Sequence, residues 1–258
     1  MAKFIFWNTQ RLGAGSGTEK GIVLESVLAQ IFHDHDADAA FLCEVTSDTV
    51  LGDATFSKSI HYKKKGALGY AGVAAPDFDA VALERFPVPK FDDVFAAKSH
   101  RKGGNEFTRQ SKRMVVAAGN WGGVPIYLYH ANASYRAAFV VSWVAAALYA
   151  EEDGKFILVG DLNCEPSQFK SEIDLCAREI DPKFHKQFYR CYGGDTHNAR
   201  TGLSKTYDWA IAGGEVDPGV EVTAIDLTAA LRALNLVPKN GNPSSVLSDH
   251  LPILVTVE

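Results

Sequence analysis

Short, densely apolar runs constrain this chain more than any other feature. Lys3–Trp7, Ala39–Cys43, Ile126–Tyr129, Phe156–Val159, Trp209–Ala212 and Leu251–Val257 lack the polar alternation of a strand with one wet face. Runs of that length read as strands buried on both faces. Helical patterns lie between them. Thr18–Phe32 carries Leu24, Val27, Leu28, Ile31 and Phe32 at the spacing of one helix face. Ala137–Tyr149 and Pro166–Arg178 are further helices, the second with a proline suited to a first turn. Elements mixed in this way predict a layered α/β protein with more strands than one parallel sheet needs. No repeat, low-complexity tract or Pro/Ser linker divides the chain. Its 258 residues are therefore expected to form a single domain with a substantial core.

Polar residues fall at the ends of these runs. Asn8, Glu44, His130 and Asp161 come at or just after the C-terminal end of a strand-like run. Asp208 and the pair Asp249-His250 come just before one. If the last two strands run antiparallel to their neighbours, all of these residues gather at one edge of the sheets.

Composition narrows the function classes. Hydrophobic residues at 47% and charged residues at 22% exclude a disordered or coiled-coil chain. A net charge of −5 excludes a wholly basic nucleic-acid coat, so any phosphate recognition must be local. No apolar run approaches the ~18 residues of a membrane span. The apolar stretch at Phe4–Trp7 is too short for a secretory signal, so the chain reads as cytoplasmic or exported without a leader. The four cysteines, Cys43, Cys164, Cys176 and Cys191, form no CxxC pair and read as reduced and non-metallic.

Several of the polar residues make chemical sense together. In Gly160-Asp161-Leu162-Asn163, the i, i+2 spacing at a strand end points Asp161 and Asn163 to one side. A carboxylate beside a carboxamide suits a hard cation with its water, or a phosphoryl oxygen; an Asx-rich turn is the plainer reading. In Ser248-Asp249-His250, a second acid, Asp208, is available to orient His250. A carboxylate on one ring nitrogen fixes the tautomer and raises the basicity of the other, as proton withdrawal from water requires. Glu44 would bury a charge unless a divalent cation, or a salt bridge, compensates it. His130 and Asn132 repeat the i, i+2 arrangement, although a single such histidine is more often a hydrogen-bonded core residue.

Trp7-Asn8, Glu44, His130-x-Asn132, Gly160-Asp161-Leu162-Asn163, Tyr207-Asp208 and Ser248-Asp249-His250 resemble, in order, the motifs of the endonuclease/exonuclease/phosphatase superfamily. This is the fold of deoxyribonuclease I and of the catalytic subunit of cytolethal distending toxin. Gly69-Tyr70-Ala71-Gly72-Val73-Ala74 is similar to its glycine-containing strand. The resemblance implies a four-layer α/β/β/α sandwich, with two mixed sheets packed face to face between helices. It implies Glu44 as the principal Mg²⁺ ligand, with Asn8 and Asp249 assisting; Mn²⁺ or Ca²⁺ are alternatives. Asp161 and Asn163 would hold the metal-bound water, the attacking water or the phosphate. His250, oriented by Asp208, would be an acid/base at the scissile phosphate, and His130 the second acid/base or a phosphate ligand. Asn132 would contact substrate.

One departure matters. In deoxyribonuclease I the residue matching His130 is paired with a glutamate from the preceding strand region, whereas Lys63–Ala75 contains no acid and only Asp77 or Asp79 is near. Abasic-site endonucleases usually carry tyrosine where His130 stands, which disfavours that branch.

Other features have blander readings. His33-Asp34-His35-Asp36 is a solvated helix end rather than a metal cluster, and Trp143 belongs to a core helix. Arg190–Lys205 is a polar loop leading to the site, in which His197 or Asn198 could meet substrate. Lys98–Arg113 concentrates Lys98, Arg101, Lys102, Arg109, Lys112 and Arg113, with Lys63-Lys64-Lys65 as a second basic cluster. Phe107-Thr108-Arg109 resembles a segment through which deoxyribonuclease I contacts the DNA backbone, which marks Arg109, with Arg113, as a substrate contact.

The expected function is a Mg²⁺-dependent phosphodiesterase cutting DNA with little sequence preference, because backbone contacts carry no sequence code. The alternative is a phosphatase or phosphodiesterase on inositol phosphates, phosphoinositides or sphingomyelin; Gly-Asp-Leu-Asn is a frequent spelling among inositol 5-phosphatases. Against lipid substrates, no apolar hairpin suited to a bilayer is evident. A non-catalytic binding module is disfavoured by the retention of every acid and both histidines.

Overall fold

The computed structural model describes residues 1–12, 18–45, 58–62, 69–75, 83–86, 115–134, 136–180, 187–197, 204–216, 219–236 and 247–258. Arg109, Arg113, the Lys63-Lys64-Lys65 cluster, Asp77, Asp79 and Asn198 lie outside them.

Two six-stranded sheets form the architecture. The first contains β1 (Ala2–Leu12), β2 (Ala39–Val45), β3 (Lys58–Tyr62), β4 (Gly69–Ala74), β11 (Val220–Ala224) and β12 (Ile253–Val257), in the order β11-β12-β1-β2-β4-β3. The second contains β5 (Glu84–Arg85), β6 (Val116–Trp121), β7 (Val124–Leu128), β8 (Ile157–Asp161), β9 (Phe188–Cys191) and β10 (Asp208–Gly213), in the order β5-β6-β7-β8-β10-β9. Both sheets are mixed. β1 pairs parallel with β2 and antiparallel with β12, and β8 pairs parallel with β7 and antiparallel with β10. The last two expected strands therefore do run against their neighbours, as the gathering of polar ends at one edge requires.

Alternation along the strands builds the layers. Phe4 and Phe6 of β1, with Ala39, Phe41 and Cys43 of β2, pack against Ile126, Leu128, Ile157, Val159, Ala210 and Ala212 of the other sheet. The intervening Ile5, Trp7, Ala40 and Leu42 face outward onto helix α1 (Thr18–Asp34), through Leu24, Val27, Leu28, Ile31 and Phe32. On the far side, Tyr127, Tyr129, Leu158, Trp209 and Ile211 pack against α2 (Ala137–Glu151) and α3 (Pro166–Ile180). A short α4 (Thr228–Ala233) joins α1 on the first face. The order helix, sheet, sheet, helix is the expected four-layer sandwich. The apolar runs have no polar alternation because each central strand buries both faces.

Several expectations resolve at this level. Trp143 is buried in α2. α1 ends where His33-Asp34-His35-Asp36 begins to turn, with His33 exposed. Ala37 N–H donates to Phe32 O (3.0 Å) and Asp36 N–H to His33 O (3.2 Å), with Asp36 at φ 51°, a Schellman closure that uses Asp in place of Gly. All four cysteines are buried and none forms a disulfide. No described helix is long and apolar enough to cross a membrane.

One glycine is dictated by a close approach. Beyond β7 the chain stays on β8, with Tyr129 N–H donating to Val159 O (3.0 Å) and Ala131 N–H to Asp161 O (2.9 Å). A Cβ at Gly160 would lie 1.7 Å from Tyr129 O, so only glycine lets this segment lie against the strand. Gly160→Ala is expected to destabilise the fold by about 2–3 kcal/mol, lowering the unfolding midpoint by roughly 4–10 °C. An unchanged midpoint in a thermal melt would show that the strand end has room to spare.

Candidate active site

The site continues the face of each strand that lines the seam between the sheets. Asn8 follows Phe4 and Phe6 in parity, Asp161 follows Ile157 and Val159, Asp208 precedes Ala210 and Ala212, and His130 follows Ile126 and Leu128. Where the apolar residues stop, these polar side chains occupy the same seam. Asn8 Nδ2 donates to Asp161 Oδ2 across it at 2.8 Å. Asn8 is 2% exposed and Asp161 1%, so each supplies the partner the other needs once water is gone.

Glu44 reaches the seam by a different route. Simple alternation would put it on the α1 face with Leu42. Instead β2 is irregular between Cys43 and Val45, and Glu44 takes a left-handed backbone at φ 60°. The irregularity flips the parity, because Cys43 lines the seam and Val45 the opposite face. The carboxylate is thereby brought to His130, with Nε2–Oε1 at 3.4 Å. A left-handed non-glycine residue is strained by of order 1–3 kcal/mol, and bulges that re-aim a side chain cluster at functional sites.

His130 is 4% exposed and lies between two acids, its Nε2 also 3.4 Å from Asp161 Oδ2. Its backbone N–H donates to the Tyr70 hydroxyl at 2.9 Å. The glutamate absent from Lys63–Ala75 is thus not matched by another acid from that strand: β4 contributes Tyr70, and the carboxylates beside His130 are Glu44 and Asp161.

His250 is held on several sides. Its Nδ1 is 2.7 Å from Asp208 Oδ2, and its Nε2 is 3.8 Å from Asp161 Oδ2 and 3.9 Å from Asp249 Oδ1. The backbone is clamped as well. Trp7 Nε1 donates to His250 O (3.0 Å), His250 N–H to Ser248 Oγ (3.1 Å), and Ser248 Oγ to Asn8 O (2.7 Å). Thr196 Oγ1 accepts the Asp208 N–H at 3.0 Å, which fixes the acid behind the ring. Asp208 Oδ1 is buried with no hydrogen-bond partner among the described residues.

Asn163 departs from its expected placement. β8 stops at Asp161, and Asn163 stands at φ 49°, with its N–H donating to Asp161 Oδ1 at 3.1 Å. This is the Asx turn of the plainer reading, so strand parity does not aim the side chain. Its Nδ2 instead donates to Ala131 O at 2.9 Å, tying the β8 exit to the His130 segment, and Asn132 follows on that segment half-buried.

Sequence reasoning missed the supporting shell of Trp7, Tyr70, Thr196 and Ser248. Trp7 and Ser248 lie inside quoted motifs, so nearness to His250 and Asn8 was the available signal. Thr196 lies in the Arg190–Lys205 loop read as leading to the site, but its bond to the Asp208 N–H left no signal of its own. Among the described residues, the tightest groups of ligating atoms are Asp161, Asp208 and His250, and His197, Asp249 and His250, each within 4.8 Å. Glu44 lies in neither group and joins them through His130.

The electrostatics follow from burial. Desolvation holds the Asp161 carboxyl well above the usual carboxylate range, against the opposing pull of His250 and the Asn8 amide. Burial alone would lower His250, but Asp208, Asp161 and Asp249 together outweigh it and raise the imidazole to about 10. A folded value above the ordinary 6.5 means that the cluster stabilises the fold fully below about pH 6.5 and loses that contribution as pH rises through about 10. In chain free of divalent ions, the His250 ring is expected to remain protonated at pH 8 by NMR. Asp208→Asn should move its midpoint down by at least about one unit. A wild-type ring neutral at pH 8 would refute the assignment of Asp208 and its neighbours as dominant.

No protein-family model matches the chain, and no curated protein sequence matches it significantly. Solved structures do. The Haemophilus ducreyi cytolethal distending toxin is 15% identical with a TM-score of 0.59, over 100% of this chain and 98% of that one. The D. rerio TDP2 complexed with single strand DNA product gives the same identity, TM-score and coverage. An endonuclease/exonuclease/phosphatase from Bacteroides vulgatus is 13% identical with a TM-score of 0.58, over 100% and 98%. With its two packed sheets and flanking helices, the chain has the fold of the endonuclease/exonuclease/phosphatase proteins.

Proposed function

We propose that the protein is a divalent-cation-dependent phosphodiesterase that hydrolyses DNA backbone linkages. The observation that carries this reading is the buried Asp208–His250 contact at 2.7 Å beside Asp161, with His130 and Glu44 on the other side of that carboxylate. A purely structural cluster would not concentrate Glu44, Asp161, Asp208 and Asp249 around two histidines at a strained strand end. That one structure of similar fold holds a single strand DNA product supports a nucleic acid as the substrate class.

The residues fit a hard cation. Glu44 offers a carboxylate that is 17% exposed, and Asn8 Oδ1 accepts one N–H, from Gln10 at 3.0 Å, which leaves a second lone pair. Glu44, Asn8 and Asp249 would supply the all-oxygen donor set that Mg²⁺, Mn²⁺ or Ca²⁺ prefers. When bound, the cation neutralises the phosphate oxygens and makes phosphorus more electrophilic.

The chain's own groups would perform the proton transfers. Asp161, a stronger base than an ordinary carboxylate, orients the attacking water and takes its proton as the oxygen adds to phosphorus. His250 holds its proton while carboxylates surround it, and gives that proton to the leaving oxygen as the P–O bond breaks. Asp208 fixes the ring so that Nε2 faces the reaction. His130 donates to a phosphate oxygen, and Asn163 and Asn132 line the same segment. Arg109 and Arg113 would track the DNA backbone.

Plasmid DNA, phosphatidylinositol phosphates and sphingomyelin, each incubated with Mg²⁺ with and without chelator, test the reading. Chelator-sensitive nicking confined to DNA is expected; phosphate release from lipid headgroups would replace the substrate, and no turnover on any would end the proposal. His250→Ala should lower turnover by about two to four powers of ten. Glu44→Gln should raise the Mg²⁺ concentration needed for half-maximal rate, and an unaltered Mg²⁺ titration would reduce Glu44 to a partner of His130. Arg109→Ala should weaken DNA binding alike for all sequences and flatten its salt dependence; an unchanged slope removes Arg109 from the interface.

A further inference from the structure

His197, which the sequence placed in a loop that could meet substrate, takes no part in the proton transfers proposed above, yet its ring stands at the edge of the site. It stacks on Tyr207 (centroids 4.9 Å, planes 28° apart) and meets the His250 ring edge-on at 4.6 Å. Its position is set by backbone as well as side chain. His197 forms antiparallel bridges with both His250 and Lys205, and Leu251 N–H donates to Thr196 O at 2.8 Å. The two histidines are thus held side by side by main-chain pairing rather than by flexible loops.

Asp249 lies between them. Its Oδ1 is 3.9 Å from His250 Nε2 and its Oδ2 3.8 Å from His197 Nε2. Neither distance is a hydrogen bond, so the acid faces both rings without being committed to either. The three ligating atoms lie within 4.8 Å of one another, and each Asp249–histidine pair is about half an ångström beyond the ~3.3 Å separation set by tetrahedral bonds of ~2.0 Å. Asp249, 26% exposed, can make that adjustment. His250 already has the companion that histidine ligands usually have: Asp208 on Nδ1 leaves Nε2 directed at the cluster.

We propose that His197, Asp249 and His250 form a second metal site, selective for a borderline transition ion such as Zn²⁺, whose occupation takes Nε2 of His250 out of proton transfer. Two imidazole nitrogens and one carboxylate suit Zn²⁺ and disfavour Mg²⁺, which prefers the all-oxygen set of Glu44, Asn8 and Asp249; Asp249 borders both sites. Binding places the metal on the ring nitrogen that the proposed mechanism uses for proton transfer. The regulatory consequence, inhibition by Zn²⁺ against activation by Mg²⁺, rests on the proposed hydrolytic function; the metal site does not.

The test uses the full chain and a spectroscopic probe that needs no turnover. Co²⁺ titrated into the protein with Mg²⁺ present should develop the visible absorption of a tetrahedral nitrogen–oxygen site, and Zn²⁺ should abolish it. His197→Gln should weaken Co²⁺ binding by roughly tenfold or more, at least as much as losing an outer-shell partner. Asp249→Asn, read by Co²⁺ binding alone, provides a second variant if the first fails to fold by circular dichroism. Zn²⁺ inhibition of DNA hydrolysis, expressed relative to each protein's own Mg²⁺ rate, should be correspondingly weaker in His197→Gln. Absence of Co²⁺ absorption in the wild type, or equal binding by the folded variants, overturns the site. Binding that fails to inhibit overturns the withdrawal of His250. Binding with no hydrolysis of any phosphodiester leaves the site standing and removes the hydrolytic reading.

Discussion

The Asn8–Asp161 hydrogen bond joins the two sheets at the point where their shared core turns polar. Each side chain sits on the seam-facing side of a central strand, one in each sheet, and each would be costly there without the other. Once that contact exists, the rest of the site has little freedom. Asp161 fixes how near His130 and His250 can lie, and burial of that carboxylate is what makes positively charged neighbours favourable. The same seam that excludes water from Phe6, Phe41 and Val159 carries the low-dielectric environment up to the reacting groups.

Two histidines flank one acid, and their settings differ. His250 has Asp208 on its far nitrogen and main-chain contacts from Trp7 and Ser248, so its ring is oriented before any ligand arrives. His130 has Glu44 and Asp161 near the same nitrogen and a Tyr70 hydroxyl on its backbone. Glu44 is therefore held by its own strained backbone and by a histidine, an arrangement that keeps a carboxylate at the mouth of the seam without a fixed salt bridge to Lys or Arg among the described residues. His197 adds a third imidazole on the open side, in register with His250 through the backbone.

The central strands were readable from composition alone because each is apolar on both faces, and α1 because its face repeats at helical spacing. β3, β5, β6, β9, β11 and α4 were not. They are edge or peripheral elements, short or bearing mixed burial such as the alternating exposure of β11, and their pairing partner decides their conformation more than their own residues do. The reading of polar residues at strand ends worked for Asn8, Asp161 and Asp208, which continue a strand face, whereas the i, i+2 argument was made for Asp161 with Asn163. It failed for Asn163, where the strand had ended and an Asx turn took over.

By itself the sequence determined which strands would be doubly buried, that the acids and histidines stand at their ends, and that a layered α/β fold should gather them. Only the tertiary structure decided that Glu44 crosses to the seam by a left-handed backbone, that Glu44 meets His130, and that His197 lies beside Asp249 and His250. The physical reason is range. Burial and periodicity are local properties written in neighbouring residues, whereas these contacts join segments far apart along the chain and depend on register between strands, which no short window of sequence encodes.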